Sequence, residues 1–129
     1  MKKKIDILIT DDHPLFRRSL RKVLQTRSDL EVVGEAENGQ VAIVKAMELS
    51  PDVVLMDVNM PVLGGIDATR HIKEGCRRTI VIALSNQSDE PFIQAMINAG
   101  ATDYVLKSAK PQEIEQSIRQ AYSKRDTDT

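Results

Sequence analysis

The sequence predicts an α/β fold, a doubly wound five-stranded parallel sheet with helices on both faces. Three observations predict it. Five apolar runs of four to seven residues are each bounded by turn signals, as suits strands buried on both faces. The segments between them carry apolar residues at helical spacing. The two kinds of segment alternate strictly, which is the pattern of right-handed β–α–β crossovers.

The first strand is Ile5–Thr10. Asp11-Asp12-His13-Pro14 follows, and Pro14 suits a first helical turn because its missing N–H would be unpaired there anyway. Phe16, Leu20, Val23 and Leu24 then recur at helical spacing with Arg and Lys opposite. The second strand, Leu30–Ala36, ends at the turn signal Glu37-Asn38-Gly39. A helix over 40–49 places Ile43, Ala46 and Met47 on one face and breaks at Ser50-Pro51-Asp52. The third strand spans 53–56 and leads to Asp57, after which residues 59–65 form a long loop rich in breakers. Ile66, Thr69 and Ile72 set a helical period that stops at Gly75. The fourth strand covers 80–84 and ends at Ser85. Ser88-Asp89-Glu90 opens a helix through Ala99, with Gly100 as its stop. The fifth strand, Asp103–Leu106, ends at Lys107, and Pro111 begins a last helix with Ile114, Ile118 and Ala121 on one face. This organisation gives one domain over 1–122, with 123–129 as a loose polar tail or the start of a linker.

The bulk numbers narrow the function classes. At 129 residues, 41% hydrophobic and 29% charged, the chain reads as one soluble globular domain. A net charge of −1 offers no bulk attraction for nucleic acid, and Lys2-Lys3-Lys4 reads as a solvated lead-in to the first strand. No apolar run approaches the length of a membrane span, and no secretory signal is legible. The single cysteine, Cys76, excludes an intrachain disulfide and agrees with a reducing cytoplasm, the expected location.

Ligands of open α/β sheets bind outside the carboxyl ends of the strands. Reading only those ends collects Asp11 and Asp12, Asp57, Ser85 and Lys107. With strand order 2-1-3-4-5, all of them share one sheet edge. Three carboxylates that close repel one another unless a cation or protons join them. An all-oxygen site of this kind suits Mg²⁺ better than a transition metal. The set is equipment for phosphoryl transfer to a carboxylate: Asp57 as nucleophile, the acidic pair on Mg²⁺, Ser85 and Lys107 on phosphate oxygens. Each residue alone has a plainer explanation, such as a helix cap for Asp12 or a solvated lysine for Lys107. The joint pattern at four strand ends outweighs those explanations. His13 and His71 lack a second histidine or cysteine at metal-ligand spacing and read as solvated or capping residues; Cys76 reads as an incidental loop thiol.

Asp11-Asp12, Met56-Asp57-Val58-Asn59-Met60-Pro61, Gly64-Gly65, Ser85, Tyr104 and Lys107 together resemble the receiver domain of two-component response regulators, whose sheet is flavodoxin-like. The stretches Asp11-Asp12-His13-Pro14-Leu15-Phe16-Arg17 and Glu31-Val32-Val33-Gly34-Glu35-Ala36 further resemble the NarL/FixJ group. The resemblance implies that Asp57 takes a phosphoryl group from a phosphohistidine of a sensor histidine kinase. It implies Mg²⁺ held by Asp12, Asp57 and the Asn59 carbonyl, with Asp11 acting mainly through water. Lys107 and Ser85 would meet the phosphoryl group, and Tyr104 would follow the Ser85 hydroxyl as a switch. Asn59 and Gln87 match positions that tune hydrolysis of the acyl phosphate. Two departures stand out: Ser108 follows Lys107 where proline is common, and Asn86 follows Ser85 where a small residue is usual.

The resemblance also implies partners. The chain is expected to be the N-terminal part of a DNA-binding transcription regulator whose C-terminal helix-turn-helix domain is absent here, and itself to bind neither DNA nor membrane. A stand-alone receiver acting through protein contacts is the alternative. A phosphorylation-dependent homodimer is left open. The apolar residues Phe92, Ile93, Ala95, Met96, Ile97 and Ala99 surround more than one face of the fourth helix and are expected to form a partner-binding surface. An aspartyl phosphatase is disfavoured because Asp57-Val58-Asn59 lacks a second acid. A flavin carrier is disfavoured because Asp11-Asp12 would repel its phosphate, and a degenerate receiver because the acidic, hydroxyl and lysine set is intact.

Overall fold

Strands and helices alternate along the chain: β1 (Ile5–Thr10), α1 (Pro14–Gln25), β2 (Leu30–Ala36), α2 (Gly39–Leu49), β3 (Val53–Asp57), α3 (Gly65–Gly75), β4 (Ile80–Ser85), a 3-10 helix (Gln87–Phe92) running into α4 (Ile93–Ala99), β5 (Asp103–Leu106) and α5 (Pro111–Thr127). The computed structural model describes residues 4–127, Thr127 through its backbone alone. Lys2 and Lys3 of the expected basic lead-in, and Asp128 and Thr129 of the expected tail, lie outside the described residues. The five strands form one parallel sheet in the order β2-β1-β3-β4-β5.

The unbroken apolar runs are explained by two cores, one on each face. Along β3, Val53 and Leu55 join Leu20 and Leu24 of α1 and Ile114 and Ile118 of α5. Val54 and Met56 join Ala42 and Ala46 of α2, Ala68 and Ile72 of α3 and Met96 of α4. Every residue of β3 is buried, so no face of that strand could tolerate the polar alternation of a half-exposed sheet. Burial of one such aliphatic side chain is worth about 1.5–3 kcal/mol, which makes these central strands the stable part of the fold.

Several boundaries differ from the sequence reading, each for a physical reason. Asp57 and Ser85 are the last residues of β3 and β4, paired to Leu84 and Leu106 respectively, rather than lying just beyond them. In α2 the buried stripe runs through Gly39, Ala42 and Ala46, and Met47 is exposed. Small residues win that face because α2 packs closely on the sheet, while Met47 reaches sideways to Cys76 at 3.5 Å. Pro91 has no N–H to donate to an i−4 carbonyl, so the segment expected as one helix over 88–99 begins as a 3-10 helix and turns α-helical only at Ile93. Gly100, at φ +123°, stops it as expected.

The polar segment from Ser123, expected as a loose tail or the start of a linker, continues α5 through Thr127. Arg125 gives that extension an anchor. Its Nη2 meets Asp52 Oδ1 at 3.1 Å, its Nη1 donates to the Arg78 carbonyl at 2.9 Å, and its guanidinium lies over the Tyr122 ring. In α4, Met96 is fully buried while Ile97, with Phe92 at the end of the preceding 3-10 helix, is exposed, so the apolar surface there is split between core and solvent.

The loop between β3 and α3 is packed rather than free. The Gly65 N–H donates to the Val58 carbonyl at 3.0 Å, and a Cβ at Gly65 would sit 2.1 Å from the Asp57 carbonyl oxygen. Only glycine fits there, and its fit fixes the chain immediately after Asp57. Val62 adopts φ +67°, a left-handed conformation that a β-branched residue rarely accepts, and is 82% exposed. Gly65→Ala is expected to cost about 1–3 kcal/mol in urea unfolding, since the clash is with backbone. Val62→Gly is expected to raise stability by about 1 kcal/mol in the same measurement, because strain relief exceeds the added entropy of the unfolded chain.

Candidate functional site

β1 and β3 are neighbours at the centre of the sheet, with Thr10 paired to Met56, so the residues after each strand emerge side by side. Asp11 follows β1 directly, and its N–H still donates to the Ala36 carbonyl of β2 at 3.0 Å. Asp57 closes β3. Lys107 follows β5, and its N–H donates to the Ser85 carbonyl at 2.8 Å. The side chain of Lys107 then reaches past β4 to the carboxyl ends of β1 and β3. Its ammonium lies 2.6 Å from Asp11 Oδ2 and 3.1 Å from Asp57 Oδ2. Residues from opposite ends of the sequence thereby share one charge.

Both bridged carboxylates are almost entirely buried, whereas Asp12 is partly exposed. Three negative charges against one ammonium leave the cluster anionic. Burial pushes the Asp57 carboxyl from 3.8 up to about 6, Asp11 repels its ionised form further, and Lys107 opposes both. Burial also works against the charge of Lys107, but the Asp11 and Asp57 carboxylates outweigh it and raise the ammonium above the ordinary lysine range. One oxygen of Asp57 is held by Lys107. The other receives only a long, 3.4 Å contact from the Asn59 N–H, and so is the less encumbered nucleophile.

His13 belongs to this cluster, which the sequence reading missed. Its backbone N–H and its ring Nδ1 each lie 2.8 Å from Asp11 Oδ1, and Nδ1 is 3.1 Å from Asp12 Oδ1. Metal-ligand spacing was the wrong signal to look for. The informative one was that a residue at the start of α1, two positions after Asp11, can fold back onto that carboxylate.

The residues present fit a divalent cation. Ligand atoms of Asp11, Asp12, His13 and Asp57 lie within 4.8 Å of one another. The buried Oδ1 of Asp12 meets the His13 ring nitrogen at 3.1 Å without a well-formed hydrogen bond, which leaves its charge poorly matched unless something positive joins it. Carboxylate oxygens dominate the set, favouring a hard ion.

The other expected residues divide between two adjoining cavities. Asn59 lines the one over Asp57, with Asp12, His13, Met60, Pro61 and Lys107. Ser85, Gln87 and Tyr104 line the second, with Ile93 and Leu106. Asn86 contributes to both walls. Ser85 is buried, and Tyr104 is half exposed at the mouth of the second cavity. Gln87 therefore does not line the cavity over Asp57. Asn86 also fixes the start of the 3-10 helix: its N–H donates to Asp89 Oδ2 at 3.0 Å, and its Oδ1 accepts from the Ser88 hydroxyl at 2.5 Å. His71 is exposed on α3, and Cys76 is half-buried at that helix's end.

Fold and cleft together define a doubly wound α/β domain with acids gathered at the carboxyl ends of β1 and β3. The response regulator receiver domain family matches residues 7–119, and the chain belongs to that family. It is 40% identical over 119 residues to the response regulator GacA of Pseudomonas viridiflava, covering 92% of this chain and 56% of that protein. It is 39% identical over 119 residues to the response regulator UvrY of Escherichia coli K12, covering 92% of this chain and 55% of the relative. The chain therefore spans little more than half the length of these relatives. Among solved structures, a LuxR-family two-component response regulator from Aurantimonas sp. SI85-9A1 superposes with a TM-score of 0.88 at 34% identity, over 95% of this chain and 87% of that one. The response regulator domain of Thermotoga maritima CheB gives 0.86 at 33% identity, over 93% and 97%. Among the described residues, no helix is long and apolar enough to cross a membrane.

The raised Asp57 carboxyl has a consequence for stability. Between 3.8 and about 6 the folded chain binds more proton than the unfolded chain, so this group costs stability progressively as pH rises through that window. In chelator, Asp57→Asn is expected to stabilise the fold by about 2–3 kcal/mol near neutral pH and by almost nothing near pH 4, because each tenfold difference in proton affinity is worth about 1.4 kcal/mol. Urea unfolding at the two pH values checks this. An equal effect at both would show that the carboxylate charge is not what the fold resists.

Proposed function

We propose that this receiver domain is a phosphorylation-controlled switch whose phosphoacceptor is Asp57. The observation that carries the reading is the buried Asp57 carboxylate, held by Lys107 on one oxygen and facing the acid-lined cleft with the other. The donor is the phosphohistidine of a sensor histidine kinase, or a small acyl phosphate in its place. The free oxygen of Asp57 attacks phosphorus in line; the new O–P bond forms as the N–P bond of the phosphohistidine breaks, and the imidazole leaves with that electron pair. The chain contributes orientation and charge and is consumed stoichiometrically, so it is a substrate of the transfer rather than a turnover enzyme.

Asp12, Asp57 and the Asn59 carbonyl would hold Mg²⁺, with Asp11 supporting it through water. When bound, that ion neutralises charge on the transferred group and on the carboxylates around it. Lys107 already bridges Asp11 and Asp57 and is placed to pair with the phosphoryl oxygens. A phosphoryl group brings about −1.5 to −2 charges, which draw the Ser85 hydroxyl toward it. Ser85 lies on the wall shared with Tyr104, so its reorientation alters the space that the Tyr104 ring can occupy. Tyr104 in turn belongs to the surface around α4, β5 and α5, where Phe92 and Ile97 are exposed. Asn59 and Gln87 tune hydrolysis of the acyl phosphate, Asn59 from within the cleft and Gln87 from the neighbouring cavity.

The longer relatives, of which the match covers little more than half, support a wider setting: a cytoplasmic transcription regulator in which this domain governs a C-terminal helix-turn-helix domain. A phosphorylation-dependent homodimer fits the same setting. The receiver itself contributes no specific DNA contact and no membrane attachment.

Intact-mass measurement after incubation with acetyl phosphate and Mg²⁺ tests the mechanism. One added phosphoryl group is expected, absent in Asp57→Ala and in chelator. Label on a histidine, or no label under any condition, overturns it.

A further inference from the structure

The peptide joining Asp11 to Asp12 is held from outside the cleft. Arg17, one turn into α1, directs its Nη1 at the Asp11 carbonyl oxygen. Its Nε donates to Glu35 Oε1 of β2 at 3.1 Å, and the side chain is only 16% exposed. Glu35 is itself clamped. Arg21 Nη1 meets its other oxygen at 2.7 Å, and Lys45 donates to its backbone carbonyl. The arginines keep the Glu35 carboxyl below the ordinary range, Arg21 foremost, so it stays ionised and holds Arg17 in place. The preceding peptide, Thr10–Asp11, is tied through the Asp11 N–H to the Ala36 carbonyl. With the preceding peptide held by β2 and the Asp11 carbonyl held by Arg17, rotation of the Asp11–Asp12 peptide plane is opposed, and that plane sets the direction in which the Asp12 carboxylate leaves the backbone.

We infer that Arg17, braced by Glu35, is a positioning residue for the cation site, acting through the Asp11 carbonyl without touching the cleft. The inference rests on the cation-dependent reading of Asp57 and the acid pair given above. It has a physical rationale in the strictness of divalent-ion geometry: loss of an outer group that orients a ligand typically weakens metal binding by about ten- to a hundredfold. Glu35 has a second part in it. Left unpaired, the Arg17 charge would oppose a cation nearby, and the ionised carboxylate cancels it.

Arg21 supplies an internal control, because it donates to the same carboxylate but has no contact with the Asp11 carbonyl. Mg²⁺ titration calorimetry on the full chain, without phosphodonor, compares Arg17→Met with Arg21→Met. Arg17→Met is expected to weaken Mg²⁺ binding by about tenfold or more. Arg21→Met is expected to stay within about twofold of the wild type. In acetyl phosphate reactions the Arg17 variant should show the loss mainly as a higher Mg²⁺ requirement, with most of the rate restored at saturating Mg²⁺. Arg17→Gln, which keeps a polar side chain, is measured under the same expectations should Arg17→Met fail to fold.

Equal Mg²⁺ affinity in wild type and Arg17 variant overturns the inference, as does an equal loss in Arg21→Met. Unfolding of both Arg17 variants where Arg21→Met stays native overturns it too, because the arginine would then hold the fold rather than the site. A wild-type chain that binds no Mg²⁺ strikes the underlying phosphoacceptor reading instead, which keeps the two failures distinguishable.

Discussion

The Lys107 ammonium between Asp11 and Asp57 is the contact on which the cleft depends. Without a cation at that point, two almost fully buried carboxylates would face each other across the central strands, an arrangement whose Coulomb cost no burial of neighbouring side chains offsets. One ammonium cannot neutralise three acids. The remainder shows in the raised Asp57 carboxyl and in Asp12 Oδ1, buried beside the His13 ring without a well-formed hydrogen bond. The cluster is thus built short of positive charge, and a divalent ion is the natural completion. Residual anionic character that would be a defect in a core is here what the proposed cation site would draw on.

That contact is available only because of topology. β1 and β3 are adjacent, β4 lies next, and β5 is the edge, so Lys107 must reach across β4 to the acids. A lysine stem is long enough to do so while its methylenes pack; the ammonium also lies 5.2 Å from the centre of the Phe16 ring of α1. The two apolar layers hold the strands in register, and glycine at position 65 lets α3 begin hard against the Asp57 carbonyl. The rigid parts set the acids in place. The strained and exposed part, Val62, lies in the loop at their rim.

Element type and order were legible because the apolar runs are long, their period is unambiguous and breakers separate them. The strand ends Asp57, Ser85 and Lys107 were legible for the same reason: parallel topology makes the residue at each carboxyl end a neighbour of the others. What the sequence concealed involves either small residues or long-range side-chain reach. The buried face of α2 is built of Ala42 and Ala46, which hydrophobicity alone ranks below Met47. The extension of α5 depends on Arg125 meeting Asp52, a partner 73 residues away. His13 was hidden because its role comes from a backbone turn that folds the ring onto Asp11, not from any spacing to a second histidine. The partition of Ser85 and Gln87 into a separate cavity follows from Asn86 standing between, which no linear pattern encodes.

Asn86 lies between the proposed chemistry and the proposed output. It faces the cleft on one side and the Ser85–Tyr104 cavity on the other, while its N–H and amide oxygen pin the first turn of the 3-10 helix that leads into α4. A phosphoryl group on Asp57 would add charge within reach of that turn. The turn is short, interrupted by Pro91, and joined to an α4 of only seven residues whose one fully buried side chain is Met96. So brief a helix with one core anchor has little packing energy opposing a shift, whereas the strands beside it are buried on both faces. Displacing a two-state equilibrium from one in a hundred to its reverse takes about 5.5 kcal/mol. A charge of nearly two units, met by Lys107 and Ser85, is of the right order to supply that where the resisting element is this lightly held. The lightly held 3-10 turn and the proposed site of charge change therefore adjoin, and the proposed coupling between them would need no longer path than the width of one asparagine.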